Sequence, residues 1–441
     1  MFENHFRKLV HSRLRKLHHG CVTVREGNDT QTFGDANAPL QVDVVIENPS
    51  FYRQMVTGGG LGAAESLAQG DWSCSDLTSL VRILVRNLPD GDTANGAFSA
   101  IKNALEKVAH FLRRNTVSNA KQNIVKHYDL SNEFFALFLD PSMAYSSAVF
   151  LNPEDTLYDG SMEKIDRACR KLNLKPSDHL LEIGTGWGGL ALHAAEHYGC
   201  RVTTTTISDQ QHAFAQKRFQ DAGVTDRVTL LKQDYRKLTG RYDKLVTIEM
   251  IEAVGHQYFD TFFKKCGQLL KPEGEMLMQA ITITDHRFEH HKRTVDFIKK
   301  YIFPGGCLPS VTALSESMAR ETRMRMVHME DFADHYAETL RRWRTNFFEN
   351  LDAVRSLGFD DRFIRIWDYY LCYCEAAFME RHVNVTQLWL VNHGSKTSPL
   401  DRAFERPLSA AFQSSPTGRH PESVPALVNA NNESKINGVV V

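Results

Sequence analysis

The stretch Leu180–Leu190, LLEIGTGWGGL, places an acid, Glu182, two positions ahead of Gly184, with Gly186, Gly188 and Gly189 following and a helical pattern beginning at once. An apolar run, a glycine turn and a helix start let a backbone approach a nucleotide-like ligand closely. A pyrophosphate needs free amides at a helix N-terminus, whereas a sulfonium amino acid needs a carboxylate nearby. Gly-x-Gly-x-Gly with an acid upstream therefore fits S-adenosylmethionine better than a dinucleotide. Glycines also mark ordinary strand-to-helix turns, so the motif takes its meaning from its surroundings.

Those surroundings alternate strand and helix from about residue 116. The pattern predicts strands at Leu180–Gly184, Arg201–Ser208, Arg227–Lys232, Lys244–Ile251 and Glu275–Ile283. Two later strands, Met324–Met329 and Gln387–Asn392, bracket two long aromatic helices. Seven strands in that order describe an α/β fold: a class I methyltransferase, Rossmann-like, doubly wound sheet whose last hairpin is antiparallel. Ahead of it, residues 1–115 read as a small α+β domain with a strand at Leu40–Ile46, a glycine-rich turn at Gly58–Gly62 and a helix through Leu77–Val85 capped by Ser75 or Asp76. This domain closes on an amphipathic helix carrying Ile101, Leu105, Val108 and Leu112. The methyltransferase domain spans 116–395, and 396–441, rich in Ser, Pro, Asn and Gly, reads as a disordered tail.

The chain is nearly neutral, with 52 Lys and Arg against 53 Asp and Glu, which argues against nucleic acid as a partner. Basic character is local: Arg7, Lys8, Arg13, Arg15 and Lys16 share the first twenty residues with Phe2, Phe6, Leu9, Val10, Leu14 and Leu17 at helical spacing. Such a helix can lie in an anionic lipid interface or dock on its own domain. Eight cysteines without a CxxC or paired metal spacing predict free thiols and no metal site. No apolar run approaches the ~18 residues of a spanning helix, and no apolar leader opens the chain. The expectation is a cytoplasmic protein, soluble or peripherally associated with the inner face of the membrane.

Seven segments in order resemble the cyclopropane-fatty-acyl-phospholipid synthase family, which includes the mycolic acid cyclopropane synthases. They are HYDLSNEFFALFLD (127–140), MAYSSAVF (143–150), LEIGTGWGG (181–189), QDYR (233–236), EMIEAVGH (249–256), KYIFPGGCLPS (300–310) and GFDDRFIRIWDYYLCYCEAAF (358–378). The resemblance runs from about residue 50 to 393. It implies transfer of the methyl of S-adenosylmethionine to the cis double bond of an unsaturated acyl chain in a phospholipid, at a membrane surface. A carbocation then loses a proton and closes to a cyclopropane. A homodimer is one arrangement this leaves open.

By resemblance, Tyr145, Ser146, Glu182, Gly184, Thr185, Gly186, Trp187, Gly188, Thr206, Ser208, Gln211, Asp234 and Tyr235 hold the cofactor. Glu182 would meet the methionine ammonium, and Asp234 the adenine amine. With no acid at the tip of the second strand before Asp209, Gln210 or Gln211 is expected to take the ribose hydroxyls. Ser208–Asp209 can equally be a helix cap, and Trp187 can equally be packing. Relatives use a bound bicarbonate as base, which carries over to Glu252, the backbone of Ile281, Tyr336, and two departures: Ser147 where many members have Cys, and Gln279 where many have His. A neutral amide orients an anion but accepts no proton at neutral pH, so the anion is expected to be the base. If that anion sits differently, another proton could be removed, giving a methylene- or methyl-branched chain; Glu249, three residues before Glu252, is a candidate to replace or support it. Cys374 matches a cysteine suspected of catalysis in relatives, yet a thiol has little to do in alkene methylation and Cys is commonly a small buried hydrophobe. His127, Tyr128 and Asp129 could close over the site or fix their loop. Two competing readings are a methyltransferase for soluble amines or phenols and an inactive lipid-binding protein.

Overall fold

The computed structural model describes residues 2–88 and 130–399. The helix expected around Ile101–Leu112, the segment 127–129, the domain boundary near 115 and the chain from residue 400 lie outside those residues.

The first part of the chain builds a four-stranded sheet from β1 (Cys21–Glu26), β2 (Asp29–Gly34), β3 (Gln41–Ile46) and β4 (Trp72–Cys74), in the order β2-β1-β3-β4. The β1–β2 hairpin turns through Gly27–Asn28, with Gly27 at φ 55, a two-residue signature that the hydrophobic pattern alone did not reveal. Gly58–Gly62, expected as a turn, instead lies inside the helix Ser50–Gln69, which kinks at Gly59 (φ 57, ψ −140). The helix continues because Leu61, Ala64, Leu67 and Ala68 bury one face after the kink. Gly62 is where the two halves press together: a Cβ there would sit 2.0 Å from the Gln54 carbonyl oxygen. Asp76 rather than Ser75 caps the helix Leu77–Arg86, accepting from the Ser79 amide at 3.0 Å.

The second sheet contains all seven expected strands: β5 (His179–Ile183), β6 (Arg201–Thr206), β7 (Val228–Lys232), β8 (Tyr242–Ile248), β9 (Leu270–Ile283), β10 (Arg325–Asp331) and β11 (Val383–Val391). Their order is β10-β11-β9-β8-β5-β6-β7, parallel except that β11 runs antiparallel to β9 and β10. β5 lies between β6 and β8, so the winding reverses there and a crevice opens at the carboxyl ends of the strands. This is the α/β, Rossmann-like methyltransferase fold.

The aromatic helices Ala333–Glu349 and Asp361–Met379 bury Trp343, Phe347 and Trp367 against Phe134, Phe135 and Phe138. Phe134 and Trp367 meet edge to face at 5.0 Å, the arrangement ring quadrupoles favour. The second of these helices is also tied to the first part of the chain. Glu380 receives Arg82 and Arg86, each at 2.7 Å, and Glu375 accepts from Thr78 at 2.9 Å. These links brace one wall of the crevice.

Candidate active site

β5 delivers Glu182 to the crevice, and the β5–β6 register sets it opposite Thr204. Thr204 donates to the Glu182 carboxylate at 2.5 Å and shares a hydrogen bond of 2.6 Å with Thr185. Burial pushes Glu182 up to about 8, while Thr204 and the buried Lys164 act in the opposite direction. Gly184, Gly186 and Gly188 take φ of 102, 52 and 87, which favours glycine at each. Their demands differ. A Cβ at Gly188 would lie 2.9 Å from the Phe219 ring, whereas one at Gly186 would meet nothing within 4 Å and would project into open space.

At the tip of β6, Thr206 donates to the Gln211 side chain at 2.9 Å, and Gln211 faces inward. Gln210 and Asp209 are exposed, so Gln211 is the glutamine available to a ligand. Ser208 caps the helix Asp209–Asp221, accepting from the Gln211 amide at 3.3 Å. Asp234, after β7, would be raised by burial, but three hydrogen bonds from Arg236, at 2.6 to 2.9 Å, hold it below the usual carboxylate range. Tyr235 follows it along the same wall. Trp187 both packs and lines: its indole donates to Asn132 at 2.7 Å, and its ring is 5.0 Å from Phe135. Tyr145 stacks on Trp343 and shares a hydrogen bond of 2.8 Å with Tyr370. Ser146 accepts from Lys164 at 2.8 Å.

A cavity of about 390 Å³ joins these groups to the aromatic helices. It runs from Gly184, Gly186 and Gln211 past Glu249 and Glu252 to a wall that includes Phe303, Tyr336, Tyr370 and Phe378. That volume lies in the range of small-molecule sites. Open space at Gly186 beside a buried carboxylate suits an amino-acid nucleoside, so the residues present fit S-adenosylmethionine. Cys374 also lines the cavity, where burial raises its thiol well above the ordinary cysteine range and keeps it protonated.

The expected anion pocket is built differently. The donors assigned to bicarbonate at Ser147, Gln279 and Tyr336 all converge on the side chain of Glu249. The Ser147 amide reaches one carboxylate oxygen at 3.0 Å, the Gln279 amide reaches the same oxygen at 2.7 Å, and the Tyr336 hydroxyl reaches the other at 2.8 Å. Glu252 stands apart, accepting from the Ile281 amide at 2.5 Å, with its second oxygen lacking a partner among the described residues. A bicarbonate bound to those donors would have to displace one carboxylate and lie against another, so the residues present do not fit one. The sequence reading made Glu252 one of several groups around an anion, with Glu249 a candidate to replace or support it; in the structure the Glu249 carboxylate lies among those donors. Because Gln279 and Ser147 are fully buried behind Glu249, they support the cavity rather than line it.

Burial raises both acids. Three donors stabilise the Glu249 carboxylate against that shift, while Glu252, also raised by the charge on Glu249, is pushed to about 8. Glu252, at about 8, keeps its proton at neutral pH, and the three donors gathered on Glu249 favour the charged form of that acid. Lys164, missed in the sequence, is buried on the helix Leu157–Leu172 within electrostatic reach of Glu249, Asp140 and Glu182. A lysine at a core-facing position of an amphipathic helix was the available signal.

The mycolic acid cyclopropane synthetase family model matches residues 115–388. The chain is 37% identical over 375 residues to the tuberculostearic acid methyltransferase UfaA1 of Mycobacterium tuberculosis, covering 81% of this chain and 84% of the relative. It is 35% identical over 361 residues to the cyclopropane-fatty-acyl-phospholipid synthase of Escherichia coli K12, covering 80% and 88%. Among solved structures, the mycolic acid cyclopropane synthase CmaA1 complexed with SAH and CTAB superposes with a TM-score of 0.58 at 31% identity, covering 62% of this chain and 98% of that one. With the sheet order, the glycine loop and the cavity behind it, these likenesses make the chain an S-adenosylmethionine-dependent methyltransferase that belongs to the mycolic acid cyclopropane synthetase family.

Proposed function

We propose that this enzyme methylates the cis double bond of an unsaturated acyl chain carried by a phospholipid and closes the product to a cyclopropane. The observation that carries the reading is the continuous cavity between the glycine loop and the aromatic wall. S-adenosylmethionine, when bound, supplies an electrophilic methyl group. The proposed holders are Glu182 and the Gly184–Gly188 loop for the amino-acid end, Gln211 for the ribose and Asp234 for the base. An alkene is a weak neutral nucleophile, so the protein must orient it and keep water away. Phe303, Tyr336, Tyr370 and Phe378 supply apolar surface for the chain and π faces for the cation that follows. Residues 1–115 would form a domain that presents the lipid, and 116–395 the catalytic domain.

A second reading, a methylene-branched acyl chain, is favoured by one observation: the carboxylate of Glu249 is fixed where a small mobile anion was expected. A fixed base selects when and where the proton leaves. Taken from the methyl group at once, it closes the ring; taken from the methyl group after a 1,2-hydride shift has moved the cation to the methyl-bearing carbon, it leaves a methylene branch. A saturated methyl branch would additionally need an external two-electron reductant.

The test is incubation of the protein with methyl-labelled cofactor and vesicles of an unsaturated phospholipid. Label in acyl chains is expected. Proton spectra of the recovered chains separate a ring from its methylene isomer, which mass alone cannot. Label transferred only to soluble amines would refute the lipid assignment.

A further inference from the structure

Resting on that acyl-methylation reading, we infer that Glu249 is this enzyme's built-in proton acceptor, occupying with its own carboxylate the position at which a free anion was expected. Three independent features of the structure support it.

The first is the orientation of its donors. Lys171, fully buried, is bonded to Glu330 and donates to the Gln387 side-chain oxygen at 2.7 Å. An ammonium can only donate, so the oxygen of Gln387 faces it and its NH2 is turned the other way, to the Gln279 oxygen at 2.9 Å. Gln279 must then point its NH2 at Glu249, as it does at 2.7 Å. The amide cannot accept from the cavity side and serves only to hold an anion.

The second is the backbone. Glu249 adopts φ 48, a left-handed conformation that disfavours any residue with a Cβ. Glycine would sit there without strain. The strained turn directs the carboxylate back among three donors, and strain of this kind concentrates at functional sites.

The third is the neighbouring acid. Glu252 lies on the same turn, is half-buried and lines the same cavity. One carboxylate with three donors beside one with a single donor divides the pair into a base and a neutral partner. Lys164, the cation facing Glu249 from the helix Leu157–Leu172, favours the charged form; Asp140 and Glu182 balance that lysine rather than touch Glu249.

The step is a simple proton transfer. A C–H bond of the methylated acyl cation breaks, and its electron pair forms the new carbon–carbon bond, closing the ring or making the double bond. The proton goes to the Glu249 carboxylate and is released to solvent before the next turnover. No bicarbonate is consumed or required.

The experiment compares wild type, Glu249→Gly and Glu249→Gln in decarbonated buffer with and without added bicarbonate, reading both label in vesicle lipids and thermal midpoint. The wild-type rate is expected to be unchanged by bicarbonate to within about twofold, while both variants lose about 100-fold or more. Glu249→Gly, relieved of the left-handed strain and left with an anion-sized space, should keep its fold. Bicarbonate should raise its midpoint and restore part of its rate; in Glu249→Gln the space is filled and neither should change. A wild-type rate that collapses without bicarbonate and returns with it would overturn the assignment. Wild type that labels no lipid in either buffer would defeat the proposed function instead, and the assignment would then be decided by the midpoints. Bicarbonate stabilising wild type as much as Glu249→Gly would overturn it.

Discussion

Glu182 is a carboxyl whose state depends on what occupies the cavity. Without a ligand, burial holds it at about 8, so at neutral pH it is mostly protonated. An ammonium brought alongside would favour the charged form and draw the proton off. Cofactor binding is therefore expected to release close to one proton at about pH 6.5, measured by calorimetry in buffers of different ionisation enthalpy. Glu182→Gln should abolish that release; unchanged proton release in the variant would place the ammonium elsewhere. Glu182 was legible in the sequence because it lies two residues from a glycine on a recognisable strand. Glu249 was legible only as an alternative. Its distinction from Glu252 rests on a left-handed φ and three donors from distant segments, none of which leaves a mark in local spacing.

At the level of elements, the pairing of β9 with β11 puts Gln279 directly opposite Gln387 and so builds the chain of amides that ends on Glu249. Gln387→Leu would free Gln279 to turn its oxygen toward the carboxylate. The carboxylate then loses a donor and its proton affinity rises, so the acid limb of the pH–rate profile should move to higher pH. The maximal rate should fall about tenfold, with KM for lipid changed by no more than about twofold. A purely structural role for Gln387 would lower the thermal midpoint and leave the acid limb in place. The seven strands themselves were readable, since each is an apolar or β-branched run between helical patterns. The helix Ser50–Gln69 was not, because its glycines look like a turn until Gly62 is seen pressed against Gln54.

For the whole molecule, the N-terminal helix Phe2–Leu14 is docked on its own domain. Val10 and His11 are buried, Phe6 and Leu14 pack on the core, and Arg7 pairs with Glu26 at 3.0 Å. Lys8, Arg13, Arg15 and Lys16 remain exposed. No helix among the described residues is long and apolar enough to cross a membrane. A contact with lipid headgroups would therefore be electrostatic, at roughly 1 kcal/mol for each basic residue near an anionic surface. Reversing these four charges to Glu is expected to weaken binding to anionic vesicles by about tenfold or more in sedimentation, and to leave cofactor affinity unchanged. Equal vesicle binding would make the helix structural only.

By itself the amino-acid order determined the sheet, the glycine loop and the family, because strand periodicity, turn chemistry and contiguous motifs are written along the chain. Only the tertiary structure decided which acid is held as an anion. That choice depends on an amide at 147, a glutamine at 279 and a phenol at 336 converging on one carboxylate, across separations that no local pattern encodes.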